Sequence, residues 1–102
     1  IVSLDPVVVV EVFSALRRLL NWSEAEFRTG SLLRSRRIAF LSISREAAQN
    51  SVRWAKEKSV PVNDAMIGAN MVEQADLIYT TDEGHFQKLE EYGVKILNPI
   101  KL

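Results

Sequence analysis

The spacing of apolar residues predicts a long helix near the start of the chain and a buried strand further on. Apolar side chains recur every three or four positions over residues 6–20, which is the period of an amphipathic helix. Asp5-Pro6 precedes this run as a helix N-cap and a first-turn proline, so we predict that the valines at positions 7–10 are helical rather than extended. Ile38–Leu41 is a short apolar run between polar flanks and predicts a buried strand.

Four more helices and two more strands are predicted in the rest of the chain. The helices cover residues 23–34, opened by a capping box at Ser23–Glu26, then residues 44–58 with Ser44 as the cap, 62–75 and 83–92; the strands are Leu77–Tyr79 and Val94–Leu97. The expected inward residues are Ala48, Val52 and Ala55 in the third helix and Ala65, Ala69 and Val72 in the fourth, where Gly68 suggests close packing.

The order of these elements indicates the fold class. Each of the three predicted strands is separated from the next by helices, and no hairpin signal joins any two of them, which implies right-handed crossovers and a parallel sheet. We therefore predict an α/β fold with three layers, α/β/α. Since a chain of 102 residues suits one domain, the prediction is a single domain over residues 1–102.

Composition excludes several classes of protein. With 47% hydrophobic and 25% charged residues, the chain has the composition of a folded globular domain. The densest apolar run, Val7–Val10, is cut by Glu11, so no membrane span is expected. The chain has no cysteine, which excludes a disulfide scaffold and a thiolate zinc site and suits a reducing compartment. We expect a cytoplasmic protein.

The zero net charge hides an uneven distribution of charge. Residues 1–59 contain ten Lys or Arg and six Asp or Glu, whereas residues 60–102 contain three and seven. This asymmetry fits a basic surface beside an acidic site, and it fits solvated helix faces equally well.

Few of the common catalytic signals are present. Glycine-rich phosphate loops are absent, which argues against a nucleotide-binding domain. Histidine or cysteine spacings typical of a zinc site are absent as well. The single histidine, His85, has no second imidazole with which to share a transition metal, and we interpret it as a surface residue rather than a catalytic base. The remaining candidates for a functional site are carboxylate side chains.

Three acids stand out by their placement. Asp82 follows the strand Leu77–Tyr79, at the carboxyl end where open α/β sheets bind ligands, although it could instead cap the next helix. Asp64 begins the fourth helix, where the helix dipole also favours a carboxylate. Glu11 lies among valines in the first helix. It could be a site residue, or it could instead form an ion pair with Arg18, seven residues further along the chain.

Several stretches resemble a known family. Val60–Ala69, Ala75–Leu89 and Gly93–Pro99 look like the second half of a PIN domain, and Val7–Arg18 is similar to the helix that bears the second acid of that family. The separations of 53 residues from Glu11 to Asp64 and of 18 from Asp64 to Asp82 suit this assignment. The family comprises metal-dependent ribonucleases and includes the VapC-like toxins of prokaryotic toxin–antitoxin pairs.

The resemblance implies a site and an activity. Glu11, Asp64 and Asp82 would converge as catalytic and metal-binding carboxylates, with Thr80 as a polar neighbour of Asp82. Converging carboxylates repel one another, and oxygen ligands suit Mg²⁺ or Mn²⁺, which can activate water for attack on an RNA phosphodiester. The arginine excess of residues 1–59 would attract the RNA backbone. An antitoxin and a second copy of the chain, as a homodimer, are the implied protein partners.

The chain departs from the family pattern at its start. A PIN domain opens with a central strand that supplies the first acid, and no such segment precedes Ile1. Asp5 is too close to Glu11 to fill this role, so we interpret Asp5 as a helix cap. We expect either that the natural chain carries the missing strand, or that this is a reduced domain with weak metal binding. The alternative function is a non-catalytic PIN-like module that acts through a protein partner.

Overall fold

The structure is a computed structural model that describes residues 2–80 and 83–101. Contacts between residues divide it into two compact units, one ending at Ser42 and the other beginning at Ile43. Each unit contains one pair of parallel strands together with helices. The predicted α/β fold class is thereby confirmed.

The first unit joins two strands through two helices. Its elements are β1 (Val2–Leu4), α1 (Pro6–Leu19), α2 (Trp22–Leu33) and β2 (Ile38–Phe40). β1 and β2 are parallel and in register, and the amide of Leu41 continues the pairing by donating to the carbonyl of Leu4 at 2.9 Å. The sequence prediction missed β1, because three residues are too few to show a period and the partner strand lies far along the chain.

The two helices of this unit begin at polar caps. Asp5 caps α1 as predicted, and its carboxylate accepts a hydrogen bond from the amide of Val7 at 2.8 Å. The predicted capping box of α2 is wrong: Asn21 is the cap and accepts from the amide of Glu24 at 2.8 Å. Asn and Ser are caps of similar strength, and the Asn21 cap lets α2 begin at Trp22, before the predicted start.

The second unit contains the remaining elements. They are α3 (Arg45–Lys58), α4 (Val62–Gln74), β3 (Ile78–Tyr79), α5 (Gly84–Gln87) and β4 (Ile96–Leu97), with 3₁₀ turns at Glu90–Tyr92 and Pro99–Lys101. The helix predicted over residues 83–92 is therefore two short segments, α5 and the 3₁₀ turn at Glu90–Tyr92. The second segment ends at Gly93, which has a φ of +98°. Within the described ranges, no helix is long and apolar enough to cross a membrane.

The inward face of α3 matches the predicted one in part. Ala55 packs against the core as predicted and Ala48 is half-buried, but the predicted Val52 is 65% exposed. The buried residues of the helix are Ala47, Ser51 and Trp54. Trp54 accounts for the difference, because burying the largest apolar side chain of the helix outweighs burying a valine. The indole of Trp54 stacks on the ring of Tyr92 with 4.5 Å between the centroids and 3° between the planes.

The stacked tyrosine is also held by polar contacts. The Tyr92 hydroxyl donates a hydrogen bond to the carboxylate of Glu57, and this bond raises the pKa of Tyr92 above its usual value. Lys58 pairs with Glu91, the residue before Tyr92. These contacts tie the last turn of α3 to the 3₁₀ turn at Glu90–Tyr92.

Small residues on α4 allow close packing, as predicted. Ala65, Gly68 and Ala69 are buried, and a Cβ atom added at Gly68 would lie 3.1 Å from methyl groups of both Leu89 and Val94. The third predicted inward residue, Val72, is 42% exposed. The absence of a side chain at Gly68 thus lets the segment after α5 pack directly on α4.

We predict that Gly68→Ala destabilises the protein by about 1 kcal/mol, because overpacking costs about 1–3 kcal/mol and the gain in helix propensity returns about 1. Gly30→Ala on α2 is the matched control, since its Cβ would meet only the guanidinium of Arg34, which is exposed and can move. Urea unfolding should show the control unchanged or stabilised. Equal stabilisation of both variants would contradict the packing argument.

Candidate acidic site

Asp64 lies in the first turn of α4. The N-cap residue is Pro61, which makes no side-chain hydrogen bond to the helix, and Asp64 is the acidic residue of the first turn. A helix N-terminus stabilises negative charge. The Asp64 side chain is 19% exposed, and the next residue, Ala65, is fully buried. The fold thus presents a half-buried carboxylate that solvent still reaches.

His85 on α5 contacts this carboxylate. Its Nδ1 atom lies 2.7 Å from Oδ2 of Asp64, which is hydrogen-bonding distance for an imidazole and a carboxylate. The His85 side chain is 41% exposed. The interpretation of His85 as a simple surface residue is therefore incomplete, because the residue pairs with one of the three predicted site acids.

The sequence contained a weak signal for this pair. His85 follows Asp82 by three residues, in the same segment after β3 that was expected to line the site. The sequence alone allows His85 as a transition-metal ligand or as a catalytic base, and favours a surface residue over both. A histidine that serves as a hydrogen-bond donor to a carboxylate needs no second imidazole. Asp64 and His85 are 21 positions apart in the sequence, so no local pattern of residues indicates the contact.

Thr80 lies at the carboxyl end of β3. Its amide donates to the carbonyl of Leu97 at 3.1 Å and so extends the pairing of β3 with β4. Asp82, the predicted acid that follows, lies outside the described residues. The N-cap position of α5 belongs to Glu83, which makes no side-chain cap bond. The Asp64–His85 contact therefore joins the first turn of α4 to the segment that follows the carboxyl end of β3.

Glu11 lies in the second turn of α1 and is exposed. Glu11 belongs to the first unit, whereas Asp64 belongs to the second. In that first unit, Asp5 is only 6% exposed and joins the carboxyl end of β1 to α1. Its role as a cap places the start of the helix that carries Glu11.

The described side chains at this site include one carboxylate, Asp64, of the kind that serves as a metal ligand. Among residues 2–80 and 83–101, no three acidic or histidine side chains form a group that could hold a metal ion, and Asp82 is not among those residues. The half-buried Asp64 carboxylate offers oxygen ligands of the kind that Mg²⁺ and Mn²⁺ prefer.

Fold and site together define an α/β protein in which an aspartate–histidine pair joins a helix start to the segment that follows a parallel strand. The model of the PIN domain family matches residues 2–92, and the chain therefore belongs to the PIN domain family. PIN domains are generally nucleases. No curated protein and no solved structure gave a significant match.

The cap at Asp5 yields a test. We expect Asp5→Ala to lower the free energy of unfolding by about 1 kcal/mol, because the amide of Val7 loses its acceptor. Asp5→Asn keeps a good cap while removing the charge, so chemical unfolding should place it close to the wild type, with Mn²⁺ affinity unchanged. Loss of Mn²⁺ binding in Asp5→Asn would instead assign Asp5 to the metal site.

Proposed function

We propose that this protein is a Mg²⁺- or Mn²⁺-dependent endoribonuclease of the toxin type, which hydrolyses RNA phosphodiesters at a site formed by Glu11, Asp64 and Asp82. The observation that carries the proposal is the half-buried carboxylate of Asp64, paired with His85 in a chain of the PIN family. His85 belongs to the segment that follows the carboxyl end of β3, and Asp82 is the first acid of that segment in the sequence.

The three carboxylates would hold the cation, and Thr80 would be the polar neighbour of Asp82. A bound Mg²⁺ or Mn²⁺ supplies activation of water and neutralises the charge that develops on the phosphate oxygens. Asp64 contributes a fixed carboxylate at a helix N-terminus, where negative charge is stabilised. Hydrolysis then requires water to attack the phosphorus while the bond to the leaving ribose oxygen breaks.

We propose one PIN domain over residues 1–102, because the family match runs through both contact units. The excess of Lys and Arg in residues 1–59 would attract the RNA backbone through salt-sensitive contacts that carry little sequence information.

An antitoxin and a second copy of the chain are the proposed protein partners. Exposed apolar side chains on the first unit support protein contacts, and they include Leu19, Trp22 and Phe27, which are 83%, 65% and 63% exposed. A homodimer or an antitoxin complex would cover such groups.

RNA cleavage tests the proposal. We expect the purified protein to cleave single-stranded RNA with Mn²⁺ present and to stop when a chelator is added. Asp64→Asn and Asp82→Asn should each lower the rate by roughly 100-fold or more, since each removes a ligand of a cation that supplies several kcal/mol of transition-state stabilisation. Asp76→Asn is the matched control, because Asp76 is an exposed acid in the loop between α4 and β3.

Two results would overturn the proposal. One is cleavage that survives both the chelator and Asp82→Asn. The other is a chain that neither binds Mn²⁺ nor binds RNA at low salt, which would favour the non-catalytic binding module. If Asp76→Asn and Asp64→Asn lowered the rate of RNA cleavage equally, the loss would reflect a general effect of charge rather than removal of a metal ligand.

A further inference from the structure

We infer that His85 is a positioning residue for Asp64: it holds the carboxylate in one orientation, in which Asp64 binds the divalent cation. The inference rests on the proposed function for the identity of the cation. It extends that function by adding a residue that touches neither the metal nor the RNA but acts through a metal-binding acid.

The direction of the hydrogen bond follows from the chemistry of the two groups. An ionised carboxylate can only accept hydrogen bonds, so the facing ring nitrogen of His85, Nδ1, carries a proton that it donates to Oδ2 of Asp64 over 2.7 Å. A carboxylate has about four lone-pair positions, and one hydrogen bond occupies one of them. Asp64 can therefore accept from His85 and coordinate a cation at the same time.

Both partners are anchored by their neighbours along the chain. Ala65, next to Asp64, is fully buried, and Phe86, next to His85, is 5% exposed; both belong to one hydrophobic core cluster. The backbone of His85 is held further by its carbonyl, which accepts from the amide of Lys88 at 3.2 Å. Each partner of the contact thus stands next to a residue that is buried in the core.

Fixing the carboxylate lowers the cost of binding a cation. An unpaired aspartate at this place would sample several side-chain orientations, and binding would have to select one of them. Hydrogen bonds from outer residues to metal-binding groups typically change metal affinity by 10–100-fold for this reason. The exposure of 19% at Asp64 and 41% at His85 leaves the pair accessible to a hydrated ion.

The first experiment needs no metal. His85 is the only histidine in the chain, so its ring nitrogens give unambiguous ¹⁵N NMR signals. At a pH where the imidazole is neutral, we expect the Nδ1-protonated tautomer in the wild type and a loss of this preference in Asp64→Ala. An Nε2-protonated ring in the wild type would overturn the inference.

The second experiment measures Mn²⁺ affinity by calorimetry on the full chain. His85→Phe keeps a planar ring without a donor and should weaken binding by about 10–100-fold. His85→Asn places an amide N–H close to the position of Nδ1 and should restore most of the affinity. Gln87→Ala, an exposed position on the same helix, is the control and should bind as the wild type does.

The outcomes separate this inference from the proposed function. Mn²⁺ binding that is lost in Asp64→Asn but unchanged in His85→Phe would overturn the positioning role alone. A wild-type chain that does not bind Mn²⁺ would overturn both. Circular dichroism of each variant identifies loss of folding, and in that case the wild-type tautomer and the rescue in His85→Asn decide the question.

Discussion

Close packing on α4 is the constraint on which the second unit and its site depend. Gly68 has no side chain, and the buried residues Leu89 and Val94 fill the space where one would be. This packing holds the segment after α5 against the helix whose first turn carries Asp64. The hydrogen bond between Asp64 and His85 is therefore a consequence of core packing that lies below it.

The packing also explains why an acid can be half-buried here at little cost. Burying a carboxylate is unfavourable unless it is hydrogen-bonded or paired. Asp64 has an imidazole donor at 2.7 Å and lies in the first turn of a helix, where the dipole favours negative charge. These two features offset the cost of placing a carboxylate at the edge of the core.

Local signals in the sequence predicted much of the fold. Asp5 and Ser44 were predicted as caps from the residues beside them, and both cap their helices in the structure. Features set by distant parts of the chain were missed or misplaced. β1 forms because β2 pairs with it, and Val52 is exposed because Trp54 takes the buried face of α3.

The same distinction applies to the candidate site. Asp64 could be chosen from its place at a helix start and from a family resemblance, and the structure puts it in the first turn of α4. His85 is a single histidine without a second imidazole, which by itself indicates a surface residue, and no pattern along the chain links it to an acid 21 residues earlier. A contact of this kind depends on how two elements pack, and a periodic pattern of residues does not contain that information.

Glu11, Asp64 and Asp82 are proposed to bind one divalent cation. Paramagnetic broadening of NMR signals by substoichiometric Mn²⁺ tests this directly, because the effect falls steeply with distance from the ion. We expect selective broadening at these three acids and at the His85 ring, with the exposed acids Asp76 and Glu91 unaffected. Broadening that spares Glu11, or that spreads evenly over the exposed acids, would show that the three acids do not share one ion.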